Sequence, residues 1–204
     1  CQLFAEHRPG AAGQLAPRLA ALFEQRPVLR VGRVVDHPLH LHRGAAHAHF
    51  GAPLLEGGAH FRAAAKEVIP FNDYAKAGLK GWQTYLGPTK GFDEMVFNLV
   101  PYSDAEGNTL AVLNNKAGNV GVAVGYNTHQ LPVLTLWKNT DTRAQGYVTG
   151  IEPGTSYAYS TKYQRPLGLV PKIQPWETKT FDLTYRLLRN GEEVKPALAQ
   201  VDKI

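Results

Sequence analysis

Apolar residues recur with a period of two along most of the chain beyond residue 65. Met95–Tyr102 (MVFNLVPY) gives way to the polar loop Ser103–Asn108, and Thr109–Asn114 resumes the apolar pattern. That arrangement predicts a hairpin. Val120, Val122, Val124 and Tyr126 alternate with Gly121, Ala123 and Gly125. One face therefore carries the bulk, and the small face invites close packing by another layer. Further strands are predicted over Leu131–Lys138 and Gly146–Glu152. A half-buried strand is expected through Phe181, Leu183, Tyr185 and Leu187, ended by the turn pair Asn190-Gly191. Several strands, short turns and almost no helix predict an all-β fold, an antiparallel sandwich or barrel. One helix is expected at Gln14–Gln25, where Leu15, Leu19, Leu22 and Phe23 share a face and Pro27 stops the run.

Residue usage changes near Phe61. Before it there is no Lys, Ile, Thr, Ser, Asn or Tyr, and that stretch holds seven of the eight His. Residues 1–44 are read as an atypical, poorly ordered segment rich in Ala, Arg, His and Pro. Residues 45–204 are read as one β-sandwich domain. A separate helical linker and a His-rich metal-binding segment are the rival readings of 1–44; degenerate or wrongly translated sequence is favoured. The chain opens on Cys1 with no leader pattern visible, and reads as a trimmed or partial chain.

Charge narrows the function classes. Twenty-two Lys and Arg against seventeen Asp and Glu give +5, dispersed along the chain, which argues against a nucleic-acid partner. No apolar run approaches the ~20 residues of a membrane-spanning helix, so no membrane partner and a cytoplasmic location are expected. One Cys supports neither an internal disulfide nor a Cys-based zinc site. Nucleotide-binding, serine-hydrolase and zincin motifs are absent.

Chemistry must then come from isolated polar residues on strands. Glu152 closes an apolar strand ahead of Pro153-Gly154, where a carboxylate would be rigidly aimed as a general base needs. His47 and His49 lie two apart and would share a strand face. His40 and His42 repeat that spacing with His37 nearby, which raises a metal site as an alternative. Trp82, Tyr85, Phe92, Trp137 and Trp176 could stack on sugar rings, with Asn114, Asn115, Lys138 and Asn139 bonding hydroxyls; core packing is the competing role for the aromatics.

Four segments then fit together. The run His47-Ala48-His49-Phe50-Gly51-Ala52-Pro53-Leu54-Leu55-Glu56-Gly57-Gly58 resembles the H-x-N-x-G-x-P-L-L-x-x-G stretch of bacterial aldose 1-epimerase-like proteins. Gly91–Phe97 is similar to their G-F-x-E-x-V-F strand. Leu136-Trp137-Lys138-Asn139 and Gly146–Thr155 resemble their W-K and Y-V-x-G-L-E-P-x-T segments. The resemblance covers about residues 46–190 and implies a galactose mutarotase-type β-supersandwich, incomplete at its N-terminus. It further implies that Glu152 removes the anomeric proton while His47 protonates the ring oxygen, with no metal or cofactor required. His49, Trp137, Lys138 and Asn115 are expected to contact a small-molecule sugar. His49 stands where the family has Asn, and the family's N-terminal strands have no recognisable counterpart. Exposed strand edges suggest a homo-oligomer.

Three readings follow: a sugar-anomer epimerase, a non-catalytic carbohydrate-binding or fragmentary relative, and a His-rich metal-binding β protein.

Overall fold

Where large and small residues alternate, the chain must choose which face to bury, and two sheets stacked on their bulky faces satisfy every strand. The computed structural model describes residues 30–35, 48–51 and 54–204, with 30–35, 48 and 49 described by backbone pairing alone. The strands are β1 (Arg30–Val35), β2 (Ala48–Phe50), β3 (His60–Ala63), β4 (Ala65–Pro70), β5 (Met95–Pro101), β6 (Asn108–Asn114), β7 (Gly121–Asn127), β8 (Val133–Asn139), β9 (Val148–Gly154) and β10 (Thr178–Leu188). Two five-stranded sheets result, ordered β1-β10-β7-β6-β3 and β2-β9-β8-β5-β4, and every pairing is antiparallel.

Phe61, Leu113, Val122, Val124 and Leu183 of the first sheet meet Phe97, Leu99, Leu134, Leu136 and Ile151 of the second in one core. The antiparallel sandwich expected from the sequence is the architecture found, and β5 to β10 fall on the predicted strands with ends displaced by a few residues. β1 lies within residues 1–44 and pairs with β10, so the first sheet reaches back into the compositionally odd segment. The helix expected at Gln14–Gln25 lies outside the described residues.

The Asn190-Gly191 pair does not make a hairpin turn. Asn190 caps α3 (Gly191–Val201), its Oδ1 accepting from the Glu193 backbone N–H at 3.0 Å, and the Glu193 carboxylate returns to Arg189 N–H at 2.9 Å. Asn serves turns and helix N-caps alike; the acidic first turn and the apolar spacing Val194, Ala197, Leu198, Val201 identify the helix. α3 packs on Leu110, Val112, Ala123 and Leu188, the small face of β7 included. At Gly121 a β-carbon would come within 2.8 Å of Leu113 O and 3.2 Å of Leu188 Cδ1. Other short helical pieces are α1 (Asp73–Ala77), a 3-10 turn at Leu79–Gly81, and α2 (Thr161–Gln164).

A buried polar assembly fastens the second sheet to the segment after α1. The Lys138 ammonium donates to Trp82 O at 3.0 Å and Thr84 O at 2.7 Å, and lies 4.3 Å from the Tyr85 ring centroid. Tyr85 Oη and Thr149 Oγ1 are hydrogen-bonded at 2.8 Å, and Thr149 Oγ1 donates to Trp137 O at 2.6 Å. Bonded backbone carbonyls and an aromatic face compensate the cation in part.

Burial pushes Lys138 from its ordinary 10.5 down to about 8. Below about pH 8 both folded and unfolded chains hold that proton, and the desolvation cost is fully expressed. Between about pH 8 and 10.5 the unfolded chain binds a proton that the folded chain has shed, so stability climbs with pH. Burial, with the Glu152 carboxylate nearby, pushes the Tyr185 hydroxyl from 10 up to about 12, and burial raises Tyr85 and Tyr126 as well. Those hydroxyls ionise first in the unfolded chain, which lowers stability above about pH 10. Thermal melts are therefore expected to rise from about pH 7.5 to about pH 9.5 and then decline. Lys138→Met should lose the rising limb and keep the decline; an unchanged rise in the variant would refute this account.

Candidate active site

Successive side chains on a strand point to opposite faces, so anchoring two of them in the core sends their neighbours outward. Thr149 and Ile151 of β9 are buried, Thr149 on Tyr85 and Ile151 in the main core. Gly150 and Glu152 therefore face away from the core. β9 pairs with β8, which sets Trp137 opposite Gly150 and Thr135 opposite Glu152. The rows continue outward through β5, to Val96 beside Trp137 and Asn98 beside Thr135. On the other side, β2 brings position 49 opposite Gly150.

The Glu152 side chain lies back along its own strand. A β-carbon on Gly150 would sit 2.5 Å from Glu152 Oε1 and 3.3 Å from both Glu152 Cδ and Trp137 Cε3. Carboxylate and indole thus both border the space over a residue without a side chain, on the outer surface of the sheet, where Glu152 and Trp137 are half-buried.

An aromatic strap covers one part of this outer face. The backbone N–H of Ala158 donates to Asn98 Oδ1 at 2.8 Å, and Thr135 Oγ1 donates to the same oxygen at 3.2 Å. Tyr159 stacks on Phe71 with centroids 5.3 Å apart, and Tyr157 and Tyr163 pack on Tyr159 at 6.3 and 5.8 Å. Buried Gln164 braces the strap from within, its Nε2 donating to Tyr157 O at 3.0 Å and Tyr159 O at 2.7 Å. Asn98 and the strap went unrecognised in the sequence. A polar residue within MVFNLVP and the run Y-A-Y-S-T-K-Y were the available signals.

The structure brings Glu152 and Trp137 together and separates others. His47 lies outside the described residues, as do His37, His40 and His42; for His49 only the pairing with Gly150 is described. Lys138, expected to contact the sugar, points to the opposite face. Trp137 and Lys138 are adjacent on one strand, so they cannot share a surface, and the ammonium is engaged by the Trp82 and Thr84 carbonyls. Asn115 sits in the β6–β7 hairpin, where its Oδ1 accepts from Asn119 N–H and Val120 N–H and its Nδ2 donates to Asn119 Oδ1. Its amide is consumed by the turn. Pro153 and Gly154 continue β9 instead of turning, so strand pairing holds Glu152 in place. Trp82 and Tyr85 belong to the core, whereas Trp176 is 95% exposed. Among the described residues no group of three His, Cys, Asp or Glu side chains could hold a metal ion. No helix among them is long and apolar enough to cross a membrane.

Residues 41–187 match the family described as Domain of unknown function (DUF4432). The chain is also similar to the crystal structure of a putative aldose 1-epimerase from Klebsiella pneumoniae subsp. pneumoniae MGH 78578, at 55% identity and a TM-score of 0.76. That match covers 78% of this chain and 42% of the Klebsiella chain, so this chain spans less than half of its neighbour's length. No functionally curated protein matches it. Sheet order, an outward glutamate on β9 and these similarities converge: the chain belongs to this family of aldose 1-epimerase-like proteins with the galactose mutarotase-type fold.

Proposed function

We propose that the chain carries the acid–base surface of an aldose 1-epimerase, with Glu152 as general base and His47 as general acid. Glu152 removes the proton of the anomeric hydroxyl while His47 protonates the ring oxygen. The ring opens, the C1–C2 bond of the aldehyde form rotates, and reclosure delivers the other anomer. Every step is a proton transfer or a carbon–oxygen bond change without redox. A carboxylate and an imidazole, ordinarily near ~4.3 and ~6.5, can carry that traffic close to neutral pH.

The single observation behind this reading is a carboxylate aimed off the outer face of the second sheet beside an indole ring. An indole supplies an apolar platform for a sugar ring, and the carboxylate supplies the base at its edge. The β2–β9 register sets His49 opposite Gly150, two residues from Glu152 along β9; His47 is assigned from the resemblance of the His47–Gly58 run. The name borne by the Klebsiella neighbour agrees with the same chemistry. His49 and Trp137 are proposed as sugar contacts, and Lys138 and Asn115 as parts of the scaffold.

Anomer exchange of a fresh α-hexose, followed by polarimetry or NMR, tests this directly. Glu152→Gln should slow exchange by ~10²–10⁴, the usual contribution of general acid–base catalysis, without shifting the melting temperature appreciably. Equal rates would remove Glu152 from the mechanism and leave sugar binding without turnover as the better reading.

A second outcome concerns the strap. Asn98 joins it to the sheet, so Asn98→Ala leaves Thr135 and the Ala158 N–H without their shared acceptor and should cost ~1–3 kcal/mol of stability in urea unfolding. With the strap loosened, KM should rise more than kcat falls. A change confined to kcat would place the strap away from bound sugar.

A further inference from the structure

We propose that Gly150 is a positioning residue for Glu152, an inference that rests on reading Glu152 as the base. Glycine within a strand is unfavourable relative to alanine, and it commonly marks a close approach. The backbone of Gly150 gives no reason for it, since Gly150 is not among the residues with a positive φ. The reason lies above the sheet. The three nearest atoms that a β-carbon there would meet all belong to side chains: Glu152 Oε1 at 2.5 Å, Glu152 Cδ at 3.3 Å and Trp137 Cε3 at 3.3 Å.

Gly121 provides the contrast, because the nearest atom to a β-carbon there is the backbone oxygen of Leu113 at 2.8 Å. Filling Gly121 presses on the ladder itself; filling Gly150 presses first on the tip of a flexible glutamate. The bare position lets the carboxylate fold back along β9 into the space beside the indole. A methyl group would drive it off that seat and leave the sheet paired. Misplacement by about 1 Å is enough to cost ~10²-fold when a catalytic group must meet its proton in line.

The experiment uses the full chain with Gly150→Ala, Glu152→Asp and the double variant. Gly150→Ala should melt cooperatively and lose ~10–100-fold in kcat, with KM changed less than threefold. Glu152→Asp, one methylene shorter, clears the new methyl. Its cost should therefore be much smaller in the Gly150→Ala background than in the wild type, a non-additivity that a merely structural role does not produce.

A readout independent of activity separates this proposal from the choice of reaction. Tryptophan emission is titrated between about pH 3 and pH 7, and the part lost in Trp137→Phe is assigned to Trp137. That part should show a transition which Glu152→Gln abolishes and Gly150→Ala weakens or displaces. Should the wild type prove inactive on hexoses, this titration still decides the role of Gly150. Identical titrations in wild type and Gly150→Ala, additive kinetic costs, or failure of the alanine variant to fold would each overturn the proposal.

Discussion

Two-fold alternation along β9 governs the outer surface of the second sheet. Ile151 and Thr149 are held in the interior, one by apolar packing and one by the Tyr85 hydroxyl, and pairing with β8 fixes the register. Glu152 then has one side of the sheet open to it, and Trp137 is brought to that same side by its partnership with Gly150. A slip of one residue would exchange the carboxylate for a proline and bury the charge. The core anchors beneath the strand and the outward Glu152 and Trp137 above it are thus one constraint seen from two sides.

Beneath that surface the sandwich holds a buried cation on backbone carbonyls and an aromatic ring. Lys138 lies against the Tyr85 ring and two carbonyls from the segment after the 3-10 turn, while Thr149 ties Tyr85 to the backbone of Trp137. Polar groups of this kind cost desolvation and return geometric definition only when each finds a partner. Here they tie the backbone of β8 and β9 directly under the Trp137–Gly150 pair.

Much of this was legible beforehand because period-two patterning survives in the sequence wherever one face is buried. The strands from Met95 onward, the small face of Val120–Tyr126 and the outward side of β9 that Glu152 shares with Gly150 were all readable in that way. Lys138 was misread because the W-K pair was treated as a unit, although adjacent strand residues diverge; parity alone would have separated them. Asn115 was misread because asparagine serves turns as readily as ligands, and the G-N that follows it marks the hairpin. Asn190-Gly191 failed for a related reason, since the same side chain can close a turn or open a helix. Asn98 was hidden because its value depends on a strap some sixty residues downstream, a pairing that no local pattern announces.

The strap is largely self-contained. Gln164 supplies its internal bracing, its aromatic side chains pack on one another, and it meets the body of the protein at Asn98 and through the stacking of Tyr159 on Phe71. A segment joined at so few places can change its residues while β8 and β9 keep the register that their own pairing sets. Exchange of this segment would therefore reshape the ground in front of Asn98 and Thr135 without disturbing the strand that holds Glu152.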